Sequence, residues 1–210
     1  MRVRAMVTML GALAVCGAAP AGASADCPGA DEAPTASNLA AVSDASLCLL
    51  NGERTARGLG ALTANLVLAR VALAHSREMV ASGTFSHDSP DGTAFDERIL
   101  DAGYRSLDTG VAVGENIAWG SGSLATPRQI VTAWMASPGH RSNILARDFR
   151  EAGMGVVLGT PTGEASGATY TTDFGAWRQK KVRAAPHRRR TARRAHRRAA
   201  KRSGHRRQHP

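Results

Sequence analysis

Positive charge in this chain is concentrated at one end, and that segregation limits where a fold can form. Positions 178–210 hold 15 Lys and Arg and no acid, in pairs and triplets separated by alanine and histidine. Such a stretch has almost nothing apolar larger than alanine to bury and repels itself, so a disordered basic tail is expected over 178–210. The other end reads as an export signal, 1–25: Arg2 and Arg4, an apolar run from Ala5 to Val15, then Ala23-Ser24-Ala25 before Asp26. That run is too short for a permanent bilayer anchor. A lipid anchor on Cys16 is the rival reading, but Val15 before it fits a lipobox poorly.

What remains, 26–177, has 17 acids against 10 Arg and no Lys, a balance of −7 within a chain of +10. Its length suits one domain with one core. A pI near 10.9 therefore does not describe a basic folded face, and a nucleic-acid-binding domain is not expected. The tail has no aromatic residue for base stacking, so specific nucleic-acid recognition is not expected there either. Its charge suits salt-labile contact with anionic wall polymers, the lipid headgroups of a membrane surface or extracellular nucleic acid. The mature protein is expected to be secreted, extracellular or wall-associated, without a transmembrane segment.

Within the domain, 26–37 is rich in Pro, Gly, Ala and Asp and reads as a linker before a domain over 38–177. Helical periodicity marks Leu39 to Arg57, with Leu39, Val42, Leu49 and Leu50 on one face, and Leu66 to Ser82, with Leu66, Ala69, Leu73 and Val80. Gly58 and Gly83 stop them. Thr93 with Asp96 marks a third helix ending near Gly103. Thr126-Pro127 opens a fourth that turns Ile130, Val131, Trp134 and Met135 inward, and a short helix from His140 to Ala146 follows the Ser137-Pro138-Gly139 break. Strands are expected at Val111 to Ala118, Met154 to Leu158 and Ala168 to Phe174, which with these helices makes an α+β layered domain. Loss of 1–25 removes Cys16 and leaves Cys27 and Cys48, an even pair in an oxidising compartment that is expected to form a disulfide. It would tie the loose segment Pro28 to Thr35 to the first helix, a loop closure of about 3 kcal/mol in the chain-entropy account.

Three short polar blocks stand out: Phe85-Ser86-His87, Gly114-Glu115-Asn116-Ile117-Ala118, and Trp134 to Arg141 with Ser137-Pro138-Gly139-His140 inside it. Added to Leu50-Asn51-Gly52-Glu53-Arg54, Ala74 to Met79, Gly103-Tyr104 and Tyr170-Thr171-Thr172-Asp173-Phe174-Gly175, in this order and spacing, the chain resembles a secreted bacterial member of the CAP superfamily of cysteine-rich secretory proteins, antigen 5 and pathogenesis-related 1 proteins. The resemblance runs from about Cys48 to about Trp177. It implies a three-layer α-β-α sandwich with a cleft on one side.

In that resemblance His87 and His140 match the two cleft histidines, and Glu115 the glutamate of the Gly-Glu-Asn block. Two imidazoles and a carboxylate can hold a divalent metal, zinc first. The competing readings are bland: a loop histidine capping a carbonyl, a carboxylate locking a turn, a helix junction at Ser137 to His140. The departure is Ser137, where animal and plant relatives place a second glutamate, so the cleft is expected to be lined by His87, Glu115, Ser137 and His140. With that carboxylate missing, a module that binds a metal or a small or extended ligand is the first reading. A metal-dependent hydrolase, His87 and His140 as ligands and Glu115 as ligand or base, is the alternative. His75, within a helix beside Ala72 and Met79, reads as structural, and Asn51 and Arg54 as bracing residues. No nucleophile elbow, His-Glu-x-x-His, phosphate loop or dinucleotide fingerprint is present in the sequence.

If the basic charge resides in a separate tail, deleting 178–210 leaves the domain's cooperative melt unchanged and removes its sedimentation with an anionic polymer at low salt. Sedimentation that survives the deletion would contradict the assignment.

Overall fold

The computed structural model describes residues 26–104 and 110–177; the expected signal peptide and basic tail lie outside them. The elements are α1 (Leu39–Thr55), β1 (Thr63–Ala64), α2 (Leu66–Ser82), α3 (Phe95–Asp101), β2 (Val111–Ser121), a 3-10 turn (Gly122–Ala125), α4 (Pro127–Ala136), α5 (Pro138–Ile144), β3 (Glu151–Leu158) and β4 (Gly167–Trp177). Among these residues no helix is long and apolar enough to cross a membrane.

The sheet order is β1-β3-β4-β2, antiparallel except where β1 runs parallel to β3. One face of β3 and β4 sends Ala152, Val156, Ala168, Tyr170, Phe174 and Ala176 into a core with α1, α4 and α5. A smaller cluster on α2 and α3, Leu68, Val71 and Ile99 with Tyr104, meets Val111 and Val113. Helices thus cover both sides of the sheet, the α+β three-layer sandwich that was expected.

Local chemistry explains most boundaries. Asn65 accepts from the amides of Val67 and Leu68 at 2.9 and 3.2 Å, and Gly83 ends α2 at φ +69°. Thr126 caps α4 by accepting from Gln129 N at 3.4 Å. Thr93 does not cap α3: Asp91 takes its amide at 2.9 Å, and Glu97 reaches back to Ala94 N at 3.4 Å. α5 begins two residues earlier than expected, because Pro138 supplies a helical φ at the first position and Ser137 alone makes the break. β1 was not expected, being two residues long with no alternation. It forms because the Asn51 side chain clamps Leu62 through its amide (2.7 Å) and carbonyl (3.0 Å), delivering Thr63 N to Arg150 O at 2.9 Å.

The buried face of α2 is also rotated from the expected one. Leu66 is exposed, and Leu68, Val71, Ala72, His75, Ser76 and Met79 are buried. The reason lies on the sheet. A Cβ at Gly153 would lie 2.0 Å from Ala69 N, and one at Gly155 2.1 Å from Leu73 N. The helix backbone rests on two bare strand positions at Ala69 and Leu73, which sets its rotation, turns Ser76 toward Gly155 and leaves Leu68, Val71 and Met79 buried.

The stretch 26–37, expected as a linker, has no helix or strand and is anchored to the domain at Cys27, Ala30 and Asp31. Cys27 and Ala30 are buried, the Cys27–Cys48 disulfide ties the segment to α1, Ala30 O accepts from Arg128 N at 2.9 Å, and Asp31 takes the Arg128 guanidinium at 2.7 and 3.0 Å. Arg54 braces the opposite end of α1. Its side chain is buried and donates to the carbonyls of Gly60 (2.8 Å), Ile144 (2.7 Å), Ala146 (2.9 Å) and Phe149 (3.2 Å). Arg54→Met keeps the volume but strands these carbonyls; the expected loss is about 3 kcal/mol or more, read by urea denaturation.

Candidate functional site

His87 sits on the loop between α2 and α3, its side chain 47% exposed. The loop is strapped from below by α2. His75, buried in that helix, meets Ser86 O through Nε2 at 2.9 Å and Glu78 Oε2 through Nδ1 at 3.1 Å, and Glu78 Oε2 accepts from Ser89 Oγ at 2.7 Å. His75 is therefore the bracing residue its position suggested. Phe95 at the start of α3 lies edge-on to the His87 ring, centroids 6.3 Å apart.

Glu115, on the edge strand β2 with its side chain 1% exposed, accepts from His87 Nδ1 at 2.7 Å. Its other oxygen accepts from Arg98 Nη2 at 2.7 Å. Arg98 Nη1 donates to His87 O (2.8 Å), Thr93 O (3.2 Å) and Ser89 Oγ (3.3 Å). One guanidinium from α3 thus holds both the backbone of His87 and the carboxylate that holds its ring. Because a carboxylate only accepts, Nδ1 carries a proton, and in the neutral ring Nε2 is left as a lone pair.

His140 lies on α5, which is stitched to β2 through two asparagines. Asn116 Nδ2 donates to His140 O at 3.1 Å, and Asn143 Nδ2 donates to Asn116 Oδ1 at 2.9 Å and Glu115 O at 3.0 Å. Trp134 Nε1 fixes α4 to the same strand through Ile117 O at 3.1 Å. Burial pushes the His140 pKa below its ordinary 6.5, and the nearby charge of His87 pushes it further the same way. Ser137 is the hinge residue between α4 and α5, its amide donating to Ala133 O and Trp134 O.

Of the three expected ligands, His87 and Glu115 are in direct contact, and His140 is near enough to His87 to feel its charge. Both Glu115 oxygens are committed, one to His87 and one to Arg98. Among the described residues no three His, Cys, Asp or Glu side chains are grouped to hold a metal. Glu115 therefore stands behind His87, as the group that orients it.

Residues 47–174 match the model of the cysteine-rich secretory protein (CAP) family. The chain belongs to this family. It is 37% identical to Uncharacterized protein YkwD of Bacillus subtilis over 128 residues, 60% of this chain and 44% of that protein. With Uncharacterized membrane protein YlbC of the same organism it shares 34% identity over 110 residues, 52% of this chain and 30% of that protein. The chain thus spans less than half the length of these curated relatives. Among solved structures, an extracellular protein containing an SCP domain from Bacillus anthracis superposes with a TM-score of 0.55 at 26% identity, covering 68% of this chain and 44% of that one. An outer surface protein of Borrelia burgdorferi gives a TM-score of 0.53 at 20% identity, covering 63% of this chain and 90% of that one, and supports the fold alone.

Two residues of this CAP site escaped the sequence reading. Arg98 looks like an ordinary surface arginine on a short helix, and only its place under the His87 loop gives it four acceptors. Asp173 was visible within Tyr170 to Gly175 but carried no role. It lies directly across from Glu115 in the β2·β4 register and has no exposed surface. An acid inside a strand covered on both faces was the available signal.

Arg98→Gln leaves the buried Glu115 carboxylate without its charge partner. The expected result is a loss of about 3 kcal/mol in chemical denaturation, with a broadened or shifted His87 ring resonance in NMR. A change below about 1 kcal/mol would mean that Arg98 does not hold the site together.

Proposed function

We propose that this protein is an exported CAP-domain binding module whose cleft takes one divalent ion, zinc first, on His87 Nε2 and His140, and whose basic tail contacts anionic polymers or membrane surfaces. The observation that carries this reading is the 2.7 Å bond from His87 Nδ1 to Glu115. A metal-binding imidazole generally donates its other nitrogen to a carboxylate, which sets the tautomer and strengthens the donor atom. The downward push on the His140 pKa favours the neutral ring that coordination needs. Two nitrogens leave the remaining positions to water or to atoms of a ligand, and the ion would supply a Lewis acid that polarises such a ligand. Export is supported by the description of the Bacillus anthracis relative as extracellular. The hydrolase alternative is weaker, because Ser137 stands in the place of a second carboxylate and both Glu115 oxygens already accept from His87 and Arg98.

Isothermal calorimetry of the mature protein should register about one zinc per chain at neutral pH, weakening as pH falls because protons compete for the imidazoles. His87→Ala and His140→Ala should each abolish uptake, and His75→Ala, if circular dichroism shows it folded, should retain it. A wild-type protein that takes up no divalent ion ends the metal reading.

A further inference from the structure

Asp173 presents a problem of charge. It lies at 0% exposure on β4, opposite Glu115, and neither of its oxygens has a hydrogen-bond donor within reach. The acid it faces directly across the β2·β4 pair is Glu115. Two ionised carboxylates cannot bond to each other, and both would be closed off from water with one guanidinium, Arg98, nearby. An uncompensated buried carboxylate costs several kcal/mol, and a group in that position takes a proton instead. Once Asp173 is protonated, it can donate an O–H···O bond to Glu115, the short and strong kind formed between an acid and a carboxylate. Burial drives the Asp173 pKa well upward, the charge of Glu115 adds to this, and Arg98 opposes it in part.

We infer that Asp173 is a neutral acid that donates a hydrogen bond to Glu115, making it a second carboxyl behind the cleft where Ser137 supplies none, and that it is a positioning residue for His87 acting through Glu115. Glu115 then has three donors on three sides: His87 Nδ1, Arg98 Nη2 and the Asp173 hydroxyl. Together they fix the plane of the carboxylate and hence the ring it orients. The acid form is what matters, since a carboxylate at this position has nothing to donate. The inference rests on the zinc reading only for its effect on metal affinity.

Two variants and two spectroscopic signals test it on the mature, metal-free chain. Infrared spectra of the wild type at neutral pH should contain the carbonyl stretch of a protonated carboxyl, and Asp173→Asn should remove it. Asparagine can donate from its amide as the acid does from its hydroxyl. Asp173→Asn should therefore keep a slowly exchanging, downfield His87 Nδ1 proton and, once zinc is added, hold its affinity within about threefold. Asp173→Leu, branched at Cγ as Asp is but bulkier and with no donor, should lose that resonance and weaken zinc by about tenfold or more, the scale typical of groups that orient a ligand. Absence of the carboxyl band overturns the inference. So does an Asn variant that behaves like Leu, or a Leu variant indistinguishable from wild type. If Asp173→Leu does not fold, the band and the Asn variant still decide. If the wild type binds no zinc, the metal reading fails, while the band and the His87 resonance continue to report on Asp173.

Discussion

The close seat of α2 on β3 is the constraint from which the rest of the site follows. At Gly153 and Gly155 the helix backbone approaches within distances that no Cβ tolerates. That seat sets the rotation of α2 and places His75 and Ser76 on its buried side. Ser76 Oγ then reaches Gly155 O at 3.1 Å and Thr171 at 2.8 Å, locking helix to sheet through polar contacts. His75 and Glu78, one turn on, strap the loop that carries His87. A residue larger than glycine at either strand position would push the helix away, and the loop would lose its anchor before His87, Glu115 or His140 was touched.

Two arginines serve as structural hubs in different electrostatic settings. Arg54 is buried among carbonyls and faces no carboxylate in its hydrogen bonds; burial and the charge of Arg150 push its pKa down. It joins α1 to the segment after α5. Arg98 has both carbonyls and a buried carboxylate as partners, so it joins a loop to a strand and also compensates a charge. The planar, forked donor set of arginine suits both tasks, because several acceptors at fixed angles are satisfied by one rigid group. Lysine, absent from 26–177, would satisfy fewer of them.

Much of the fold was legible because it is written in short-range chemistry. The span of α2, the Thr126-Pro127 start of α4 and the break at Ser137 each depend on residues within a few positions of the boundary. The Cys27–Cys48 pair was readable from count and compartment. β1 and the second anchor of 26–37 were not, since each is held by partners far along the chain: Asn51 and Arg150 for β1, Arg128 for the arm. The buried face of α2 was misjudged because apolar periodicity does not show where the helix backbone rests on the sheet, which Gly153 and Gly155 decide.

The sequence by itself determined the family, the order of the helices, and the identity of His87, Glu115 and His140 as the residues to examine, because these are carried by local motifs at set spacing. Only the tertiary structure decided what those residues do to one another. It set Glu115 against the His87 ring, drew Arg98 from a neighbouring helix to hold both, and placed Asp173 opposite Glu115 across the sheet. These relations depend on strand register and helix seating, which bring together residues 17 to 58 positions apart. A carboxylate's role follows from which donors and charges surround it, and those are supplied by the packing of distant elements rather than by its neighbours in the chain.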